Sequence, residues 1–167
     1  MDIGAIIVCC ADLVFAKLGP GHSESVYHRA MEVELRARVI RFESKAILPI
    51  TYRGLNVGYG EADLIVYGKT NDDIVVELKA TTYAPRAQER AQLLSYLRSR
   101  GSSRGLLINF RQPTATIPCP EQVDWEEVWL EDQVLVVKDE GVAATTHTEK
   151  EAKTNDCEEH KTKGESG

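Results

Sequence analysis

Apolar residues recur along this chain with two different periods, and the switches between them mark its elements. From Ile3 to Lys17 the sequence is almost continuously apolar, interrupted by Asp12, and predicts a packed helix. Leu18-Gly19-Pro20-Gly21 breaks it. Ser23 then offers an N-cap hydroxyl and Glu24 an acid in the first turn, where the helix dipole favours one. A second helix is predicted over 24–38, with Val26, Ala30, Val33 and Ala37 as its buried stripe.

The period then shortens. Arg41 to Tyr52 reads as a strand, and Pro49 suggests that it lies at a sheet edge. A turn at Arg53-Gly54-Leu55 returns the chain through Asn56 to Tyr67. Ile74 to Ala80 is a short, strongly apolar strand. Pro85 suits the start of a helix over 86–100, which Gly101-Ser102-Ser103 ends. A buried strand follows at Gly105 to Phe110. After a proline-bearing loop, Val123 to Leu130 and Val134 to Lys138 form a predicted hairpin. Trp125 and Trp129 fall on one face of it and are expected to pack a small satellite core. Helix, three strands, helix, strand is an α/β order that predicts a mixed sheet with helices on its faces.

Length and composition set the frame for these elements. The chain has 167 residues, 43% hydrophobic and 28% charged, which suits one soluble globular domain. We place that domain at residues 1–138. The net charge is -6, yet eight acids and four lysines lie from Asp139 onward, so the body is close to neutral. No large apolar residue follows Val142, and the acidic tail over 139–167 is expected to be disordered. The apolar start lacks a basic leader and is too short to span a bilayer, so an intracellular protein without a membrane partner is expected. Cys9, Cys10, Cys119 and Cys157 have neither zinc-site nor disulfide-framework spacing, and Cys9 and Cys10 are expected in the core. Six arginines between Arg86 and Arg111 stand against one acid, Glu89. They are either a solvated surface or a phosphate-contacting rim.

One constellation carries chemistry. Strand side chains alternate faces, so Glu77 and Lys79 point one way while Val76, Leu78 and Ala80 point the other. Asp63, opposite in facing to Ala62, Leu64 and Val66, can join them from the preceding strand. A cross-strand salt bridge on a solvated face would need no more than this. The apolar flanks Ile74, Val75 and Val76, however, predict a central strand, where charges are costly unless paired or bound to an ion. Two carboxylates repel, and a hard divalent cation such as Mg²⁺ or Mn²⁺ relieves the repulsion.

Asp63 followed by Glu77-Leu78-Lys79 resembles the D…(D/E)xK signature of the PD-(D/E)xK nuclease superfamily. Gly21-His22-Ser23-Glu24-Ser25-Val26-Tyr27 resembles the motif of its GxxExxY branch. Glu34-Leu35, the stretch from Ala91 to Leu97, and that from Gly105 to Phe110 extend the similarity over roughly residues 3–111. Ala62 stands where the strict pattern has proline. The resemblance implies a restriction-endonuclease-like core and a metal-dependent phosphodiesterase acting on DNA or RNA. It also implies that Asp63, Glu77, the Leu78 carbonyl and Glu24 hold Mg²⁺ or Mn²⁺, and that Lys79 orients the attacking water. Gln92 and Tyr96, on one helical face by their spacing, would match a Q-x-x-x-Y motif bordering the site. The same fold without catalysis, as a nucleic-acid-binding or protein-interaction scaffold, is the alternative. Whether the chain forms a homo-oligomer or joins a larger assembly stays open.

Overall fold

The protein is described by a computed structural model that covers residues 2–69, 72–116, 122–131 and 134–138. The expected disorder of the tail, Cys119 and Cys157 fall outside these residues. The element order is α1 (Ile3–Leu18), α2 (Glu24–Ala37), β1 (Phe42–Tyr52), β2 (Leu55–Val66), β3 (Ile74–Lys79), α3 (Ala87–Arg100), β4 (Arg104–Asn109), β5 (Asp124–Glu131) and β6 (Val134–Lys138). The predicted elements are all present, with ends shifted by one or two residues.

The strands form one sheet in the order β1-β2-β3-β4-β5-β6. β3 and β4 are parallel, and the other neighbours are antiparallel. The parallel pair needs a crossover, which α3 supplies. The C-terminal hairpin continues the sheet beyond β4. Pro49 lies on β1, the edge strand, where its missing N–H costs no ladder bond. The β1–β2 turn is tighter than expected, because Tyr52 already pairs with Leu55. Arg53 and Gly54 both take positive φ, at 50° and 79°, as a two-residue hairpin turn of right-handed twist requires.

Each face of the sheet carries a core. On one side Ile7, Val14 and Phe15 of α1 and Tyr27, Met31 and Leu35 of α2 pack against Leu64, Val76, Leu78 and Ile108. On the other, Leu93, Leu94 and Leu97 of α3 pack against Ala46, Ala62, Ile65, Val75 and Leu107. β3 lies in the middle of the sheet, and Ile74 to Leu78 are buried throughout.

Four local expectations are corrected. The buried stripe of α2 is Tyr27, His28, Met31 and Leu35; of the predicted stripe Ala30 packs partly against the core, while Val26 and Val33 are 38% and 60% exposed. The larger aromatic and aliphatic side chains take the core-facing positions, and the small β-branched ones are turned out. Ser23 is the N-cap of α2, yet its hydroxyl meets that of Ser25 instead of a backbone N–H. Cys10 is buried but Cys9, the next position round the helix, is exposed. Trp125 packs against the main core, and Trp129 lies under the Arg104 guanidinium.

Candidate active site

The site forms where β2 and β3 part. Their register runs from Val66↔Ile74 through Ile65↔Val75 to Leu64↔Val76 and stops there. Beyond that point the N–H of Leu78 has no β2 carbonyl opposite it, and it donates instead to Asp63 Oδ2 at 2.8 Å. The carboxylate of Asp63 thus closes the fork between two strands. It is charge-assisted, which strengthens the bond and fixes the side chain.

Across the other side of β2, Lys45 stands between the register pairs Ser44↔Leu64 and Ala46↔Ala62. Lys45 takes φ 53°, a left-handed conformation. Both strands reverse facing here. Leu64 belongs to the α1/α2 core and Ala62 to the α3 core, although they are two apart. Ser44 bonds His28 and Glu32 of α2, while Ala46 packs under α3. The strict alternation expected around Asp63 is therefore broken at Asp63 itself. Lys45 Nζ reaches Asp63 Oδ1 at 2.5 Å and Glu61 Oε1 at 3.6 Å. Sequence patterning gave no sign of Lys45.

Glu77 and Lys79 share a side of β3, as their spacing requires, and Lys79 Nζ donates to Glu77 Oε1 at 2.7 Å. Glu77 is 3% exposed, and its second oxygen, Oε2, is buried with no hydrogen-bond partner. Burial, and then the negative charge of Asp63, push the Glu77 carboxyl up to about 7; the Lys79 ammonium pulls the other way and loses. Burial also opposes the charge on Lys79. The bond it donates to Glu77 and the charges of Glu77, Glu24 and Asp63 outweigh it, so its ammonium is held more firmly than usual.

Glu24 opens α2 and is half-buried. Its carboxyl is raised, first by burial, with Lys79 and Lys45 opposing and Asp63 adding to the rise. These couplings place it in the same electrostatic neighbourhood. The residues around it explain how it is held. Tyr27 stacks on Phe110 with centroids 4.4 Å apart and gives its hydroxyl to the Gly19 carbonyl at 2.7 Å. Gln112 donates to that same hydroxyl and accepts from the Gly21 N–H at 2.6 Å, where φ is 98°. Gly21 and Tyr27 thus bind the turn before α2 to the end of β4 through Gln112. His28 Nε2 lies 3.1 Å from the Asp63 carbonyl and ties α2 to β2. Gln112 and His28 lie outside the sequence motifs.

Gln92 and Tyr96 are joined to each other, amide to hydroxyl, at 2.7 Å. The Tyr96 ring lies on Gly60, so tightly that a Cβ there would overlap it. Among the described residues neither bonds Lys79. Asn109, fully buried, is structural: it receives the Thr81 N–H and donates to the Tyr83 carbonyl. The arginine cluster is largely spent within the fold. Arg90 pairs with Glu126, Arg100 with Asp73, Arg104 with Asp2 and Glu127, and Arg111 with Asp124, while Arg86 lies over Tyr83.

Among the described residues no three of His, Cys, Asp and Glu are drawn closely enough to grip one metal ion. The two lysines account for part of this, since each holds a carboxylate oxygen that a cation would take. The donor set nevertheless fits a hard cation. Asp63 closes the fork, Glu77 feels its charge and keeps an orphaned buried oxygen, and Mg²⁺ commonly uses only one or two protein carboxylates. No described helix is long and apolar enough to cross a membrane.

A family model, that of the PD-(D/E)XK nuclease superfamily, matches residues 1–118. Among solved structures, the crystal structure of SSO0001 is 22% identical at a TM-score of 0.45, with 62% of this chain and 48% of that one covered. The chain therefore spans about half of that protein's length. An alkaline exonuclease (LHK-Exo) from Laribacter hongkongensis is 13% identical at a TM-score of 0.41, with 77% of this chain and 83% of that one covered. Comparison with curated proteins finds no match.

Proposed function

The chain belongs to the PD-(D/E)XK nuclease superfamily, and from that premise we propose that it hydrolyses phosphodiester bonds in DNA or RNA with the help of Mg²⁺ or Mn²⁺. Within the superfamily, Gly21, Glu24 and Tyr27 favour the GxxExxY branch. The observation that carries the reading is the buried, unpartnered Oε2 of Glu77 beside the charge of Asp63. A fold does not retain such an oxygen for stability alone, because leaving it unmet costs free energy.

Asp63 and Glu77 would hold the cation, with Glu24 and the Leu78 carbonyl completing the protein's share. When bound, the cation supplies positive charge for the phosphate and makes nearby water more acidic. Lys79 has a fixed partner on its own strand and a firmly held proton. It is suited to orient the attacking water and to balance charge that builds on the phosphate oxygens. Glu77, raised to about 7 without the cation, would hold it as a carboxylate. Gln92 and Tyr96 would border the strand of nucleic acid. Their mutual bond and the packing on Gly60 give them a fixed geometry for that.

The purified chain incubated with Mg²⁺ or Mn²⁺ and a panel of DNA and RNA substrates tests the reading. Wild type should cleave, and Asp63→Ala and Glu77→Ala should each lose at least about 100-fold, the scale on which a preorganised charge contributes to a transition state. Equal cleavage by all three proteins would defeat it.

A second reading, a protein-interaction scaffold, draws on the β1–β2 hairpin. Ile47, Tyr52, Leu55, Val57 and Tyr59 are all more than half exposed there. Clustered apolar exposure marks contact surfaces. Binding of a partner that survives Asp63→Ala, with no turnover by wild type, would favour it.

A further inference from the structure

We propose that Lys45 is the resident counter-ion of this site: its ammonium neutralises Asp63 in the metal-free protein and must give up that carboxylate when a divalent cation binds. The inference rests on the cation-binding reading above and deepens it.

Three observations carry it. Lys45 Nζ sits on Asp63 Oδ1, the oxygen left over after Oδ2 has taken the Leu78 N–H. A cation that uses Asp63 therefore meets an occupied oxygen. Second, Lys45 has somewhere to go. Its side chain is 47% exposed, and Glu61 Oε1, itself at the surface, is 3.6 Å from Nζ. The ammonium can leave Asp63 without entering an apolar environment or losing every partner.

Third, the backbone at this position is unusual for its residue. Lys45 holds φ 53° in the body of a strand that keeps one register across it, from Ser44↔Leu64 to Ala46↔Ala62. Glycine adopts that conformation freely, and a residue with a Cβ does so at a cost. The reversal of facing needs only the backbone angle. Placing the ammonium on Asp63 needs the lysine. Strain retained at such a point is a mark of function.

The surroundings are consistent with a displaceable charge. Among the described residues, Asp63, Glu61, Glu24, Glu77 and Lys79 are the charged groups coupled to Lys45 or to the carboxylate it holds. With Lys79 committed to Glu77, Lys45 is, among the described residues, the cation left to balance Asp63. Removing it leaves a buried carboxylate beside a raised Glu77, a stronger site for a divalent ion.

The test is Mn²⁺ titration of the full chain by calorimetry, with Lys45→Met, Lys45→Gln, Lys45→Arg and Asp63→Asn beside wild type. Met and Gln both remove the charge and keep a Cβ at the strained angle, so either one that folds suffices. Both neutral variants should bind Mn²⁺ about tenfold more tightly, Arg should bind like wild type, and Asp63→Asn should not bind. Lys45→Met and Lys45→Gln binding no more tightly than wild type, with Asp63→Asn still losing binding, would overturn the counter-ion role and leave the metal reading standing. No binding by any of the five proteins would overturn both. Binding by the neutral variants alone would support the proposal in its strongest form.

Discussion

Asp63 Oδ2 accepts the Leu78 N–H at 2.8 Å, just beyond the last β2–β3 register pair, Leu64↔Val76. A side chain here does the work of a backbone carbonyl, and that divides the effects of substituting it. Asp63→Asn keeps an oxygen for Leu78 and should fold normally while losing Mn²⁺ affinity and cleavage. Asp63→Ala leaves a buried N–H unmet and should also lose about 1–3 kcal/mol of stability. Chemical denaturation beside a cleavage assay separates the two. If Asn and Ala destabilise equally, the bond to Leu78 has no structural weight.

Glu77 makes the stability of the metal-free protein depend on pH. Folding raises its carboxyl from 4.5 to about 7. Between those values the folded state binds more protons than the unfolded one, so stability is lost as pH rises through the window. The loss should reach about 3 kcal/mol above neutrality, because each tenfold change in proton affinity is worth about 1.4 kcal/mol. Glu77→Gln is neutral at every pH and should flatten this part of the profile. Melting curves from about pH 4.5 to 8 in the presence of a chelator, a range that brackets the window, check it. A wild-type profile that matches Glu77→Gln would mean that the carboxyl is not held neutral.

The sequence conveyed the skeleton of this site more fully than its wiring. Helices and strands followed from periodicity because α1, β3 and β4 are so apolar that little else could hold them. Glu77 and Lys79 were legible for the same reason, since two residues apart on a regular strand share a face. What stayed hidden depends on partners distant in sequence. Val26 and Val33 were read as the buried face of α2, yet His28 lies inside because Asp63, 35 residues away, offers it a carbonyl. The arginines read equally as a solvated surface or a phosphate rim, because nothing in the sequence shows that Asp2, Asp73, Asp124, Glu126 and Glu127 claim four of them. Lys45 escaped notice because no pattern of polar and apolar positions signals a left-handed residue within a strand.

The contact between Gly60 and Tyr96 predicts an asymmetric pair of substitutions. Gly60→Ala places a methyl group into the Tyr96 ring and should cost about 1–3 kcal/mol by overpacking. Tyr96→Phe keeps the ring on Gly60 and loses only the bond from Gln92, a change of about 1 kcal/mol. If Tyr96 and Gln92 border the nucleic acid, Tyr96→Phe and Gln92→Ala should weaken cleavage well beyond their effect on stability. Thermal melts and steady-state rates on the same preparations distinguish packing from function. A proportionate loss of both would assign the pair to the fold alone.

Tyr27 and Gln112 carry the last prediction, because they set the direction from which Glu24 enters. The Tyr27 hydroxyl ties α2 to Gly19, its ring stacks on Phe110, and Gln112 links that hydroxyl to the Gly21 N–H. Tyr27→Phe preserves the stack and should cost about 1 kcal/mol for the lost hydroxyl bond. Gln112→Ala removes both polar links and frees the turn before α2 while leaving the core untouched. Glu24 then loses its fixed approach to Asp63 and Lys79. Cleavage by Gln112→Ala should therefore fall through kcat, with the melting temperature lowered by only a few degrees. The double variant Gln112→Ala with Glu24→Gln should be no slower than Glu24→Gln alone, because residues that act through one another do not add. Losses that multiply in the double variant would show that Gln112 acts elsewhere and that the turn does not aim Glu24.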